Sequence, residues 1–195
     1  MHTVKKIFPE PLHKNYFALK YDKVGLYSIT HQKDADIISQ TIIDIIGTNN
    51  INIIDMNAGC GGNTISFMKY FSQITAIEID TDRFKLLKNN VEQYVHTNIK
   101  LYCDNCVNYI NNSYDVIFFD PPWGGPDYKK YKSLDLYLSN INLINIIDMI
   151  PHNKLIVLKL PYNYNFDILK NYNVIKKLVF GNVIVLFMKH NYVDL

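Results

Sequence analysis

The chain has 195 residues and a formal net charge of +2, which suits one domain with a substantial core and excludes a strongly basic nucleic-acid coat. Any polyanion would be held by a local patch. Apolar residues make up 48% of the chain, yet no apolar run is long enough for a membrane span, and the start, Met1 to Ile7, is too short in its apolar part for a signal peptide.

Residues 1–32 lack strong periodicity and read as a short N-terminal extension with one helical turn, contributing to the substrate site, ahead of a main domain over 33–195. Ile37, Ile38, Ile42, Ile45 and Ile46 give a helical stripe over 33–47, ended by Gly47. Ile51 to Asp55 predicts a short apolar strand, followed by a glycine-rich turn at 57–62 and a helix through Tyr70. Ile74 to Ile79 predicts a second strand, 81–95 a helix with Asp82 near its start, Asn98 to Tyr102 a third strand, and Val116 to Asp120 a fourth. Residues 134–150 predict a helix and Leu155 to Leu160 a fifth strand. Val174–Phe180 and Val183–Met188 flank Gly181-Asn182, a hairpin turn. Strands alternating with helices imply an α/β fold with a mostly parallel sheet, and the closing hairpin adds an antiparallel edge and brings the strands to seven.

In such sheets ligands sit beyond the carboxyl ends of the strands. Asp55, Glu78, Asp104 and Asp120 all fall at or just past strand ends, so four acids converge on one rim. The turn Asp55-Met-Asn57-Ala-Gly59-Cys-Gly61-Gly62-Asn63-Thr64 opens a helix, and its small residues let backbone approach a ligand closely. Nucleotide dehydrogenases share glycine-rich turns, but the glycine order here is not theirs. Glu78 is placed to accept both hydroxyls of a ribose, and Asp104-Asn105 to read an adenine amino group. These acids, with the acceptor motif below, favour S-adenosylmethionine over a nicotinamide dinucleotide.

The most informative segment runs Ile117-Phe-Phe-Asp120-Pro121-Pro122-Trp123-Gly-Gly-Pro-Asp127-Tyr128. Asp-Pro-Pro followed by an aromatic is how amino-directed methyltransferases end their fourth strand. Two prolines stiffen the turn, since each fixes its own φ and biases the residue before it. A carbonyl, a carboxylate and an aromatic face are thereby held around one planar base, with its exocyclic amine as the target. Lys129, Lys130 and Lys132 follow the motif and suit either phosphate contacts or a solvated loop.

With these residues the chain resembles the trimethylguanosine synthase family, the cap hypermethylases. The likeness rests on Asp55 to Phe67, with Gly59, Gly61, Gly62, Asn63, Thr64 and Ile65 in the family's places, and on the ungapped string Pro121 to Tyr128. It extends to Tyr27-Ser28-Ile29-Thr30, Asn89-Asn90 and Leu160-Pro161-Tyr162-Asn163, over roughly residues 14–190. The resemblance implies a class I, Rossmann-like methyltransferase that moves methyl groups from S-adenosylmethionine to N2 of a 7-methylguanosine cap on RNA. It implies a cofactor site of Asp55, Asn57, Gly59, Glu78, Asn90, Asp104, Asn105, Asp120 and Pro122, with Ser28 and Thr30 near the methionine part or the guanine. It implies Asp120, Pro121 and Trp123 at the reacting amine. Trp123, Lys14, Asn15, Tyr162 and Asn163 would meet the cap.

Three departures stand out. The family commonly has Ser in the place of Asp120, a charge more typical of adenine- and cytosine-amino methyltransferases. An Arg is common where Tyr162 stands, and the segment before Ser28 is short. Two rival readings therefore stay open: an amino methyltransferase acting on adenine N6 or guanine N2 in DNA or structured RNA, and a non-catalytic cap-binding module. Cys103 and Cys106 have metal-like spacing but lack a second pair or a nearby His, so no metal is expected, and Cys60 completes a set of ordinary thiols. Without a basic run resembling a nuclear signal, the default expectation is a cytoplasmic monomer.

Overall fold

The computed structural model describes residues 4–94 and 97–191. Its N-terminal part comprises α1 (Val4–Ile7), a 3-10 turn at Tyr16–Ala18, α2 (Lys23–Ser28) and α3 (Gln32–Ile46). The central part alternates: β1 (Asn52–Asp55), α4 (Gly62–Tyr70), β2 (Gln73–Glu78), α5 (Thr81–Val91), β3 (Ile99–Cys103) and β4 (Val116–Phe119). A small ribbon of β5 (Tyr137–Leu138) and β6 (Ile141–Asn142) leads into α6 (Leu143–Asp148), then β7 (Leu155–Pro161), β8 (Tyr172–Phe180) and β9 (Val183–His190).

Seven strands form one sheet in the order β3-β2-β1-β4-β7-β9-β8. The first five of these are parallel to one another, and β9 runs antiparallel to both β7 and β8. This is the class I methyltransferase arrangement. The chain winds outward from β1 to β3, then crosses back to lay β4 on the other side of β1, and a crevice opens at that switch point. β4 and β7 are buried along their whole length, which explains why β4 reads as an unbroken apolar run and β7 as one interrupted only by Lys159, rather than as alternating strands.

Each sheet face carries its own core. On one, Ile38, Ile42, Phe67, Met68 and Leu87 pack with Phe118 and Phe187; on the other, Ile146 and Ile147 pack with Ile54, Ile117, Phe119 and Leu158. Each such fully buried side chain contributes about 1.5–3 kcal/mol over leaving it in water. Ile7, Phe8 and Leu19 belong to the first core, so the N-terminal segment is stitched into the sheet's packing.

Several elements depart from the sequence expectations. The N-terminal segment forms two short helices and a 3-10 turn, because Asp22 caps α2 by accepting from the Gly25 N–H and Asn15 caps the turn by accepting from the Phe17 N–H. In α3, Ile37 is 45% exposed and Ala35, Ile38, Ser39 and Ile42 face inward, so the buried stripe sits one position away from part of the predicted one. The helix expected over 134–150 is confined to Leu143–Asp148. Ser139 and Asn140 both take positive φ (50° and 66°), the geometry of a tight hairpin turn, and Asn142 then caps α6 by accepting from the Ile144 N–H. α5 ends at Val91, and residue 95 of its expected span lies outside the described residues.

Candidate active site

A cavity of about 780 Å³ opens at the carboxyl ends of β1 to β4 and β7. Its floor is the turn after β1. The Met56 N–H donates to the Phe118 carbonyl and the Ala58 N–H to the Ile77 carbonyl, both at 2.9 Å, so the turn is hung from the two neighbouring strands. Gly61 caps α4 at φ 98°, a left-handed conformation that a side chain would strain. At Gly62 an added Cβ would lie 2.7 Å from Ile29 Cγ2 and 2.9 Å from the Thr30 carbonyl oxygen, so only glycine lets the N-terminal segment close over the helix start.

Glu78, buried at the end of β2, uses both carboxylate oxygens on backbone. Oε2 accepts from the Gly59 N–H and Oε1 from the Asp80 N–H, each at 2.9 Å. Glu78 also lines the cavity. Asp104 accepts from the Asn105 N–H (2.7 Å) and the Tyr109 hydroxyl (3.1 Å), and Asn105 caps the following 3-10 turn through the Val107 N–H. Asn57 Oδ1 and Asn63 Oδ1 are buried without a hydrogen-bond partner, while Asn63 Nδ2 donates to Thr30 Oγ1 at 3.0 Å. Orphaned acceptors in a polar pocket mark places where a ligand's donors would be matched.

Two predicted residues serve from beneath the surface. Asp55 is buried below the turn, where Oδ2 accepts from Thr64 Oγ1 at 2.6 Å and Oδ1 from the Asn57 N–H at 3.4 Å. Burial pushes its carboxyl up to about 7, with the Asp120 charge adding to the shift and the Thr64 bond opposing it. Asn90 is fully buried and binds three backbone groups: its amide donates to the Cys60 and Lys20 carbonyls, and its oxygen accepts from the Lys20 N–H. It therefore ties the glycine turn to the N-terminal segment without lining the cavity.

On the opposite wall, β4 delivers Asp120, Pro121, Pro122 and Trp123 in sequence to the rim. Trp123 is half-buried, its Nε1 is buried without a partner, and Tyr128 packs against the indole edge-on at 5.2 Å. The loop beyond it is fixed by Asn163, whose Nδ2 donates to the Tyr128 and Tyr131 carbonyls at 2.9 and 2.8 Å. Asn163 is thus a staple behind the wall. Tyr162 is exposed and reaches the site only through an edge contact with Tyr128 at 6.4 Å. Lys14 pairs with Glu10 at 3.8 Å on the surface and Asn15 caps its turn, so neither lines this cavity. Of the three lysines after the motif, Lys129 lines the cavity, whereas Lys130 pairs with Asp127.

The sequence reading missed Lys159. Its side chain is 6% exposed, and its ammonium lies 2.6 Å from Asp120 Oδ2. Burial pushes the Asp120 carboxyl up from its ordinary range, and the Lys159 charge opposes that shift. The signal was present, since Lys159 is the single charge inside the apolar strand Leu155–Pro161, and a buried lysine seldom stands unpaired. Arg83 was missed as well. Its guanidinium grips Asp22 at 2.9 and 3.2 Å and lines the cavity beside Gly59. Among the described residues no group of three could hold a metal, and no helix is long and apolar enough to cross a membrane.

Residues 50–193 match the family model described as RNA cap guanine-N2 methyltransferase. An uncharacterized protein of Acanthamoeba polyphaga mimivirus is 39% identical over 135 residues, covering 64% of this chain and 53% of that protein. The trimethylguanosine synthase of Schizosaccharomyces pombe is 34% identical over 115 residues, covering 55% of this chain and 47% of that protein. The chain therefore spans about half the length of these curated relatives. Among solved structures, the T. thermophilus 16S rRNA N2 guanine methyltransferase in complex with AdoMet and guanosine superposes with a TM-score of 0.61 at 14% identity, covering 88% of this chain and 44% of that one. A ribosomal protein L11 methylase from Lactobacillus delbrueckii reaches 0.57 at 12% identity, covering 83% and 79%. One acts on RNA and the other is named for a protein, so this level of likeness carries the fold and not the acceptor.

Proposed function

Since the chain belongs to the RNA cap guanine-N2 methyltransferase family, we propose that it methylates the exocyclic N2 of a 7-methylguanosine cap. By family and fold it is an S-adenosylmethionine-dependent methyltransferase; the cap as acceptor is the proposal. The observation that carries it is Trp123, the chain's single tryptophan, presented on the cavity wall directly after the Asp120-Pro121-Pro122 turn.

The cofactor half of the cavity fits S-adenosylmethionine in its donor and acceptor set. Glu78 is available to paired hydroxyls, Asp104 and Asn105 to an adenine, and Asn57, Gly59, Ser28, Thr30 and Pro122 to the remaining length. When bound, the cofactor supplies an already activated sulfonium methyl. The residues of the chain then have one main task, which is to orient a weak nucleophile. The N2 lone pair is delocalised into the guanine ring, and hydrogen bonds accepted by the Pro121 carbonyl and the Asp120 carboxylate turn it out of conjugation. Orientation of this kind supplies up to roughly 7–11 kcal/mol in the best intramolecular cases. The methylated amine is acidic and loses its proton afterwards, so no strong base is required. Trp123 stacks on the cationic N7-methylguanine, a contact worth about 0.5–2 kcal/mol. Lys129 meets the cap phosphates.

Asp120 favours a second reading, methylation of a guanine amine within structured RNA. One incubation separates the two. The protein is given S-adenosylmethionine with 7-methylguanosine diphosphate, GTP, or ribosomal RNA, and the products are weighed by mass spectrometry. A gain of one or two methyl groups on 7-methylguanosine diphosphate, with GTP a poor substrate, is the expected result. Methylation of the RNA alone would replace the cap reading with the second one, and equal use of GTP would remove the stacking argument.

A further inference from the structure

The Asp120–Lys159 pair bears on the one feature of the acceptor wall that the family resemblance leaves without a role. Lys159 Nζ makes three contacts at once: Asp120 Oδ2 at 2.6 Å, the Ser28 carbonyl oxygen at 3.2 Å, and the Trp123 ring, whose centroid is 5.7 Å away. One cation thus joins the acceptor turn, the end of α2 and the indole face. Both side chains are largely withdrawn from water, at 6% and 18% exposure, so the charges act through a medium that screens them poorly.

We propose that Lys159 is a positioning and specificity-determining residue, the counter-ion that renders the acceptor wall electrically neutral and leaves Asp120 as a hydrogen-bond acceptor through its other oxygen. This inference rests on the cap reading above. With Oδ2 engaged by the ammonium, Oδ1 is the oxygen left for an exocyclic amine, and the carboxylate does not serve as a base. The charge that sets this chain apart from a Ser-bearing wall is cancelled where it arises. Preference for the cationic N7-methylated base then rests on Trp123 stacking, and the net charge of the 120/159 pair becomes a separate control over it. Asp55 lies beneath the turn, and Glu78, Asp104, Arg83 and Lys129 are among the other ionisable side chains that line the cavity; none of these residues is substituted in the variants below.

The test uses four proteins whose pair carries formal net charge +1, 0, 0 and −1: Asp120→Asn, wild type, the double variant Asp120→Asn with Lys159→Met, and Lys159→Met. Because Trp123 is the only tryptophan, quenching of its fluorescence by 7-methylguanosine diphosphate and by GDP gives both dissociation constants without reference to catalysis. The diphosphate is the same in the two probes, so their ratio isolates the charge on the base. The preference for the methylated probe should rise by roughly three- to tenfold per unit of negative charge, lowest in Asp120→Asn, equal in wild type and the double variant, highest in Lys159→Met. A ratio that stays flat across the series, or a double variant that does not return to the wild-type ratio, overturns the inference. Should Lys159→Met fail to fold, the step from Asp120→Asn to wild type and the match of wild type to the double variant still decide it. Absence of quenching by 7-methylguanosine diphosphate in the wild type would overturn the cap reading and this inference with it, an outcome distinct from a flat ratio.

Discussion

The two halves of the cavity, one proposed for the cofactor and one for the acceptor, are fixed by different kinds of interaction. The cofactor half is held by backbone: N–H groups of Met56, Ala58, Gly59 and Asp80 donate to carbonyls of adjacent strands or to Glu78, and Asn90 anchors the Cys60 carbonyl. The acceptor half is held by side chains: one buried ion pair, one edge-on aromatic contact, and the Asn163 amide across two loop carbonyls. A backbone-built half asks mainly for small residues and one acid, and it can recur beneath many acceptors. A half built from particular side chains can change its acceptor through one substitution while the other half stays intact.

The strongest way to break that contrast is Trp123→Ala. Loss of stacking and of base orientation should lower kcat/KM on 7-methylguanosine diphosphate by roughly 100-fold or more. Affinity for S-adenosylmethionine, measured by calorimetry, should stay within about threefold, since a half-buried wall residue outside the backbone-held turn supports no part of it. A parallel collapse of cofactor affinity would show that the halves are one unit.

Glu78→Gln attacks from the other side. The glutamine side chain has one acceptor oxygen for two backbone donors at Gly59 and Asp80, so one N–H is left facing an amide N–H₂. Loss of a charge-assisted hydrogen bond and of the acid costs about 1.5–3 kcal/mol, which predicts roughly a ten- to hundredfold weaker cofactor complex. Quenching of Trp123 by 7-methylguanosine diphosphate should change little. If both ligands weaken together, the division between backbone-held and side-chain-held halves fails.

The same contrast explains what could be read from sequence. Glycine-rich turns, strand-end acids and the Asp-Pro-Pro-Trp string are local, because backbone geometry ties each residue type to its neighbours; the sheet and the rim followed from them. The small ribbon before α6 was lost because the period of Leu143–Asp148 was extended backwards through Ser139-Asn140, whose positive φ values interrupt it. Lys159 was lost because its partner lies 39 residues away, and an ion pair between parallel strands leaves no spacing signature. Asn90 and Asn163 were expected to contact cofactor and cap, whereas the structure has them bracing the glycine turn and stapling the loop through backbone groups distant in sequence. Local chemistry was legible; long-range polar bracing was not.

The smallest predicted effect probes the seam between the halves. Asp55 lies under the glycine turn yet feels the Asp120 charge, and its folded-state value of about 7 stands above the ordinary 3.8. A raised value means that the folded protein binds the proton more tightly than the unfolded chain does. The stabilisation from this group is therefore complete below the ordinary value and is lost as pH rises through the folded one. Between about pH 6 and pH 8 the wild type should lose on the order of 1 kcal/mol of unfolding free energy from Asp55 alone. Urea denaturation at the two pH values measures it, and Asp55→Asn, whose amide can still meet the Thr64 hydroxyl, should flatten that slope. In Asp120→Asn the slope should survive but shift to lower pH, because one source of repulsion is gone while burial remains. If Asp120→Asn leaves the midpoint where it was, the two halves do not communicate through charge, and the ion pair with Lys159 isolates them more completely than the geometry implies.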